Sequence, residues 1–166
     1  MNEYFPGIEI FKFPNVNTIS NTIEHKFVIT SNIEEYYHNV SDRKFEKLKE
    51  LMVKSEEKVL IFCDSTTACQ NIVRYLKGAN VSIIEYSHSK GNVNRIAMEG
   101  ESRISALSAF EEGKKKVLVT TNESGVRHNN LHKIINFYFP STGASYLKRA
   151  QTLAGNSGQS ISTHYS

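Results

Sequence analysis

The sequence contains no tryptophan, only two cysteines and only three prolines among its 166 residues. No apolar run approaches the roughly 20 residues that a membrane-spanning helix needs, so we expect a domain that is not embedded in a membrane. The first residues, MNEYFPGIEIFKF, lack the basic-then-apolar order of a secretory signal peptide. The absence of a long apolar run argues against a membrane-embedded domain.

The two cysteines, Cys63 and Cys69, lie in the stretch CDSTTAC. Their spacing fits no common zinc pattern, and no histidine cluster accompanies them. Free cysteines are often simply buried, and Cys63 ends a predicted buried strand. We therefore interpret both as structural thiols of a reduced intracellular protein.

Other metal-binding and catalytic patterns are also missing. The six histidines are scattered, and only His128 and His132 share a helix-like spacing of four. They fall in a predicted loop and at a strand start, with no cysteine or carboxylate at ligand spacing, so we predict no metal site. Nothing resembles the nucleophile elbow G-x-S-x-G, which argues against a serine hydrolase.

The chain has a small basic excess, with a formal net charge of +3 and a pI near 8.8. This excess favours an anionic partner only weakly, because many proteins without such a partner share it. The apolar and charged fractions, 39% and 22%, are those of an ordinary globular protein. At this length we expect one domain with a sizeable core.

Hydrophobic patterning alternates between strands and helices along most of the chain. Short apolar runs predict strands at KVLIFC, VSIIEYS, KKKVLVTT and HKIINFYFP, with an edge strand at HKFVIT and a final strand at QSIST. Helical spacing is found in SDRKFEKLKELMVK, STTACQNIVRYLKGAN, ESRISALSAFEEG and GASYLKRAQTL. Helices between buried strands predict a three-layer α/β domain with a mainly parallel sheet. We expect it at residues 25–166, after an N-terminal extension or linker at residues 1–24.

Helix ends and strand ends provide the next expectations. We expect Ser41 and Asp42 to cap the first helix. Ser65 or Thr66 should cap the second helix and Gly78 should end it, and Gly113 should end the third. The third helix should turn Ile104, Leu107 and Phe110 towards the core. Ligands of open parallel sheets bind beyond the carboxyl ends of the strands. The loops there, CDSTT, SHSK, TTNESGVRHNN and STGAS, have the polar, glycine-containing composition of anion-binding loops.

Three stretches in this order resemble the second RecA-like domain of the DEAD-box RNA helicases of superfamily 2: KVLIFCDST, ESRISALSAFEEGKKKVLVTTNESGVRHNNLHKIINFYFP and SYLKRAQTLAGNSG. The resemblance covers roughly residues 25–163. It implies a RecA-like fold and a first domain, carrying the phosphate-binding loop, as the usual partner. The chain contains neither G-x-x-x-x-G-K-[ST] nor D-E-A-D. We therefore expect no cofactor in the isolated domain, and ATP with Mg²⁺ only when such a first domain is paired with it.

The resemblance assigns RNA-backbone contacts to several positions. Ser65 and Thr66 lie at a helix N-terminus, whose N–H groups favour a phosphate; alternatively, Ser65 only caps the helix. Arg103, in GESR, matches the arginine of a Gln-x-x-Arg motif and could instead form a surface ion pair. Thr121 matches a threonine that contacts RNA phosphate, and Asn122 replaces the aspartate that follows it in the family.

The positions that contact nucleotide in the family are altered in VTTNESGVRHNN. Its Arg-Gly pair corresponds to Val126 and Arg127, or is shifted by one residue. Its ribose-binding aspartate corresponds to Asn129 or Asn130. An amide can still bond a hydroxyl, but it lacks the charge that strengthens that bond.

A second altered stretch, YLKRAQTLAGN, corresponds to Tyr-Ile-His-Arg-x-Gly-Arg-x-Gly-Arg. Arg149 matches, Lys148 takes the place of the histidine, and Thr152 and Gly155 replace the two later arginines. Such arginines stabilise the charge on the transferring phosphoryl group and thereby raise the rate by several powers of ten. The resemblance thus leaves Arg127, Asn129, Lys148 and Arg149 as residual nucleotide contacts. It provides no catalytic residue.

Three hypotheses follow from this pattern. The first is a catalytically inactive helicase-like domain that binds single-stranded RNA within an RNA-processing protein. Its pattern of loss is similar to that of helicase-like proteins of the small-RNA (piRNA) pathway, so we expect a cytoplasmic location, including ribonucleoprotein granules, and protein partners there. The alternatives are the C-terminal half of an active ATP-dependent RNA helicase and a protein-docking scaffold.

Overall fold

The computed structural model describes residues 23–29, 40–53, 56–86, 104–121, 130–153 and 158–164, and every structural statement below concerns these ranges. The strands are β1 (Ile23–Ile29), β2 (Val59–Cys63), β3 (Ile83–Tyr86), β4 (Val117–Thr121), β5 (Lys133–Asn136) and β6 (Gly158–His164). The helices are α1 (Val40–Val53), α2 (Thr66–Gly78), α3 (residues 104–111) and α4 (Gly143–Ala150), which a 3₁₀ turn (Gln151–Leu153) extends. No helix in these ranges is long and apolar enough to cross a membrane.

The strands form one sheet in the order β1-β6-β5-β2-β4-β3, and every neighbouring pair is parallel. Parallel neighbours need crossover connections, which agrees with the alternation of strands and helices along the chain. The expected edge strand at HKFVIT and the expected final strand at QSIST are both confirmed as β1 and β6. Strand β1 begins at Ile23, so the sheet starts two residues before the expected domain start at residue 25.

The core lies on both faces of the sheet. In β2 every residue is buried: Val59, Ile61 and Cys63 belong to one cluster, and Leu60 and Phe62 to the other. The first cluster packs against α1 and α2. The second packs against α3 and the end of α4 through Phe110, Ala150 and Leu153. Burial on two faces explains the continuous apolar runs, and the three-layer α/β architecture is confirmed.

The C-terminal end of α2 depends on an asparagine. Gly78 is the last helical residue, but the left-handed conformation belongs to Asn80, whose φ is 59°. The N–H of Asn80 donates to the carbonyl of Lys77 at 3.0 Å, and the N–H of Val81 donates to that of Leu76 at 3.0 Å. This is a Schellman motif, in which a residue with positive φ lets the chain reverse. Asparagine tolerates that conformation better than most residues with a side chain.

Two other helix ends test the expected caps. Helix α1 already includes Val40, so Ser41 and Asp42 lie in its first turn and their expected role as N-caps is wrong. Gly113, with φ of 77°, follows α3 as expected. Ile104 is 73% exposed, contrary to expectation, while Phe110 is fully buried. The helix therefore packs through Ala106 and Phe110, which share one face four residues apart.

Candidate nucleic-acid interface

The carboxyl ends of β2 and β4 bring predicted RNA contacts together. Thr121 pairs in register with Cys63, which lies two residues before Ser65 and three before Thr66. Because neighbouring strands are about 4.8 Å apart, these hydroxyl-bearing residues share one edge of the sheet. The predicted contacts Arg103 and Asn122 lie outside the described residues, as do Arg127 and Asn129.

Ser65 is the N-cap of α2. Its backbone is extended (φ −146°, ψ 157°), and its Oγ accepts a hydrogen bond from the N–H of Ala68 at 3.2 Å. Ser65 is exposed, Thr66 is half-buried, and the first turn carries no acidic residue. The expected cap is thus confirmed. A cap of this kind leaves the positive end of the helix facing solvent, which suits a phosphate group.

A lysine and a tyrosine lie beside this helix start. Tyr138 follows β5 at the same level as Asp64, because Phe62 pairs in register with Asn136. The Nζ of Lys44 lies 4.9 Å from the centre of the Tyr138 ring. Burial lowers the pKa of Lys44, although the charge of Asp64 opposes that change. Burial and the nearby Asp64 carboxylate raise the pKa of Tyr138.

Lys44 belongs to this edge, although the sequence patterns above do not predict it. In α1 it lies four residues before Leu48 and eight before Met52, both of which are buried. Residues at i, i+4 and i+8 share one helix face, so the spacing shows a lysine on the apolar side of α1. That position is the signal that could have identified it, because a lysine on a buried face needs a polar or aromatic contact.

Arg149 is directed into the protein. It is only 5% exposed, and its Nη1 donates to the Oδ1 of Asn136 at 2.9 Å and to the carbonyl of Tyr138 at 3.3 Å. Its guanidinium carbon lies 5.1 Å from the centre of the Phe62 ring. These contacts join α4 to the ends of β2 and β5. The neighbouring Lys148, by contrast, is exposed.

Thr152 lies in the turn that extends α4, at a position where the resemblance places an arginine. Its Oγ1 donates to the carbonyl of Arg149 at 2.7 Å, so the hydroxyl closes the end of its own helix. Gly155, the other altered position, lies outside the described residues. Thr152 carries no charge, and the guanidinium of Arg149 is engaged inside the domain.

Comparison with known proteins identifies the family. Residues 43–151 match the family model described as the helicase conserved C-terminal domain. The chain belongs to this family. It is 28% identical over 120 residues to "Probable ATP-dependent RNA helicase ddx41" of Dictyostelium discoideum, a match covering 71% of the chain and 17% of that protein. It is 29% identical over 119 residues to DEAD-box ATP-dependent RNA helicase 35 of Arabidopsis thaliana, covering 70% and 19%. The chain therefore spans about a fifth of the length of these relatives.

Solved structures agree with this assignment at the level of fold. A DEAD box protein of Methanococcus jannaschii has a TM-score of 0.68 at 21% identity, covering 89% of this chain and 37% of that one. The C-terminal domain of a Saccharomyces cerevisiae Dbp5 variant, bound to Gle1 and IP6, has a TM-score of 0.64 at 22% identity, covering 86% and 76%. The helicase C-terminal domain described here thus has the RecA-like fold of these DEAD-box structures.

The two cysteines and His132 of this helicase domain have contacts within the protein. Both cysteines are free and buried, as expected. A hydrogen bond with Cys69 and burial raise the pKa of the Cys63 thiol. The Nδ1 of His132 accepts the N–H of Lys58 at 3.4 Å. Among the described residues, no group of three or more histidine, cysteine, aspartate or glutamate side chains could hold a metal ion.

Proposed function

We propose that this domain binds single-stranded RNA through the sugar-phosphate backbone, as part of an RNA-processing protein, and does not hydrolyse ATP by itself. The observation that carries this proposal is the register of β2 with β4, which gathers Ser65, Thr66 and Thr121 at one edge of the sheet. The relatives named above are described as RNA helicases. Hydroxyls and helix N–H groups position a backbone without selecting a sequence.

The proposed lack of ATP hydrolysis rests on the nucleotide side of the domain. Thr152 bonds the carbonyl of Arg149, and Arg149 bonds Asn136. The chain also contains no G-x-x-x-x-G-K-[ST] sequence. Binding of ATP with Mg²⁺ would therefore require a first RecA-like domain, which would supply the phosphate-binding loop. Lys148, together with Arg127 and Asn129, would be left as a secondary contact.

Partners other than RNA are proposed from the relatives. Dbp5 has been solved with Gle1, and the Escherichia coli DEAD-box protein SrmB with RraA. We propose that this domain likewise works beside a first RecA-like domain and with proteins of a ribonucleoprotein. A place in a small-RNA pathway and in cytoplasmic granules stays a prediction from the pattern of altered motifs.

Titration of the 166-residue chain with a twelve-nucleotide uridine oligomer, at about 50 mM and about 200 mM salt, tests RNA binding. We expect the affinity to fall as salt rises, because neutralising phosphates releases counterions. An Arg103→Ala variant should reduce the slope of log K against log salt by about 0.7, the value for one phosphate of a single strand. The control is Arg74→Ala, which removes an exposed basic side chain eight residues after the start of α2 and should change neither quantity. Absence of binding at low salt would disprove the proposal.

The relatives' description as ATP-dependent helicases favours one alternative, that this is half of an active enzyme. ATP turnover by the parent protein with RNA present discriminates between the two. We expect no RNA-stimulated turnover. Turnover that a Lys148→Ala variant abolishes would instead show that this lysine replaces the missing arginines.

A further inference from the structure

Three aromatic side chains form a partly exposed cluster, here called the aromatic face: Phe27, Phe139 and Tyr146. The ring of Tyr146 lies 5.7 Å from that of Phe139 and 6.3 Å from that of Phe27, and both pairs are inclined by only 22°. Phe27 and Phe139 lie 6.2 Å apart. Phe27 is 50% exposed and Phe139 44% exposed, although aromatic rings of this size usually contribute to a core.

The aromatic face lies at the same end of the sheet as Ser65 and Thr121. Phe27 pairs in register with Ser162, which pairs with Asn136 near the carboxyl end of β5. Phe139 follows β5 by three residues, and Tyr146 is on α4. The Nδ1 of His25 lies 2.6 Å from the Tyr146 hydroxyl, which fixes the orientation of that ring.

We propose that the aromatic face stacks bases of the single-stranded RNA whose backbone contacts Ser65, Thr66 and Thr121. This inference rests on the proposed function and adds a base contact to it. Aromatic platforms of this kind accept every base, because every base has a π-face. The domain would then distinguish single-stranded nucleic acids from polyanions without bases, and it would do so without selecting a sequence.

The size of the aromatic face favours bases over a protein. A whole aromatic side chain offers about 150–250 Å², so the half-exposed rings of Phe27 and Phe139 and the less exposed ring of Tyr146 together offer on the order of 250 Å². A stable protein interface buries about 800 Å² on each partner. A base, by contrast, is a flat ring system that a single aromatic side chain can cover, and rings inclined by only 22° suit consecutive flat groups.

The strand order provides a path between the two sets of contacts. Along the edge of the sheet the order is β4, β2, β5, β6 and β1. Four steps of about 4.8 Å separate β4 from β1, or roughly 19 Å. An RNA strand whose phosphates lie near Thr121 and Ser65 therefore reaches Phe139 at the next strand and Phe27 two strands later. A few extended nucleotides span that distance.

Basic side chains accompany the path. Lys148 is exposed two residues after Tyr146 on α4. Lys26 precedes Phe27 and is also exposed, although its Nζ lies 3.2 Å from the Oε2 of Glu24. Positive charge next to aromatic rings is the combination that single-stranded nucleic acids use, because it provides for both phosphate and base.

The test compares the wild-type chain with a Phe27→Ala/Phe139→Ala variant. We expect the variant to bind the uridine twelve-mer about tenfold more weakly, since one stacked base contributes about 1–3 kcal/mol. The slope of log K against log salt should not change, because no phosphate contact is removed. An abasic oligomer of the same length should bind both proteins equally. Val53→Ala, which truncates a 59% exposed apolar side chain at the C-terminal end of α1, is the control and should have no effect.

A second measurement uses the absence of tryptophan from the sequence. A Phe139→Trp variant carries a single indole fluorophore within the aromatic face. Stacking of a base on it should quench its fluorescence on addition of the uridine oligomer, and the abasic oligomer should quench it far less. This readout does not depend on the double variant being folded.

The outcomes separate the two proposals. If the wild-type chain does not bind RNA at low salt, the proposed function and the stacking are both disproved. If it binds, but the double variant binds equally and the indole is not quenched, only the stacking is disproved. A variant that keeps its RNA affinity while losing self-association in sedimentation would also overturn it, by assigning the aromatic face to a second copy of this chain.

Discussion

Arg149 joins three parts of the domain although the resemblance places it near a nucleotide. It bonds Asn136 and the carbonyl of Tyr138, and it covers Phe62. Hydrogen bonds to a charged group contribute about 1.5–3 kcal/mol each, and a truncated arginine would leave the Asn136 amide exposed to an apolar gap. We expect Arg149→Ala to lower the free energy of unfolding by about 3 kcal/mol in urea denaturation.

Its exposed neighbour Lys148 is the matched control. We expect Lys148→Ala to change the free energy of unfolding by less than about 0.5 kcal/mol, as for most surface substitutions. Equal stability of the two variants would contradict the structural role of Arg149 and return it to the set of nucleotide contacts.

Cys63 and Cys69 give a prediction of chemical reactivity. The hydrogen bond between them and burial raise the pKa of Cys63, and both thiols are inaccessible. The thiolate is the reactive form, so the folded protein should not react with a disulfide reagent such as DTNB at mildly alkaline pH. After unfolding in urea, two thiols per chain should react with DTNB. Rapid reaction of the folded protein would show that this part of the core opens readily.

Ser65, at the start of α2, has two proposed roles, as the N-cap and as a phosphate contact, and two substitutions distinguish them. Ser65→Ala removes the acceptor for the Ala68 N–H and should lower the free energy of unfolding by about 1 kcal/mol. Ser65→Asp keeps a good N-cap but places a negative charge where a phosphate would bind. We therefore expect Ser65→Asp to have near wild-type stability in urea and weaker binding of the uridine twelve-mer. Unchanged binding would reduce Ser65 to its capping role.

Among the helices and strands, the sequence pattern predicts that an element exists more reliably than it predicts the residue at which the element ends. The strands β2, β4 and β5 are buried on both faces of the sheet. Because such strands need apolar residues at nearly every position, their continuous apolar runs are easy to recognise. The turn after α2 is different, because the sequence offers both Gly78 and Asn80 for a left-handed position. The hydrogen bonds to Leu76 and Lys77 select Asn80. That choice depends on where the next strand begins, which periodicity alone does not specify.

The candidate site was predictable only in part. Ser65, Thr66 and Thr121 could be placed at one edge because parallel strands end together. The contact of Lys44 with Tyr138 and that of Arg149 with Asn136 join different elements. Such contacts depend on how elements pack, and the sequence pattern of either element alone does not determine them.

Over the whole molecule, the stability of the β1 edge should depend on pH. Burial lowers the pKa of His25 below 6.5, so the unfolded chain takes up the proton more readily than the folded one. The stability that neutral His25 contributes is complete above about pH 6.5 and is lost as the pH falls towards the folded-state pKa. Between about pH 7.5 and about pH 5.5, the wild type should therefore lose more stability than His25→Gln in urea denaturation.

The measured quantity is the difference between the two proteins in how much free energy of unfolding they lose with pH. The contribution of the carboxylates, which both proteins share, cancels in that difference. Parallel loss of stability in both would show that His25 is protonated equally well in the folded state, and that its contact with the Tyr146 hydroxyl does not require a neutral ring.

The pairing of β1 with β6 joins the first described strand to the last. During synthesis on the ribosome, β1 emerges long before β6 has been made. The pairing of β1 with the sheet therefore cannot form until after the central strands and their helices have been synthesised. Removing the β6 segment would leave β1 without its partner and would open the outer side of β5 to other chains. A nascent chain halted before β6 should therefore bind chaperones until the last strand is made.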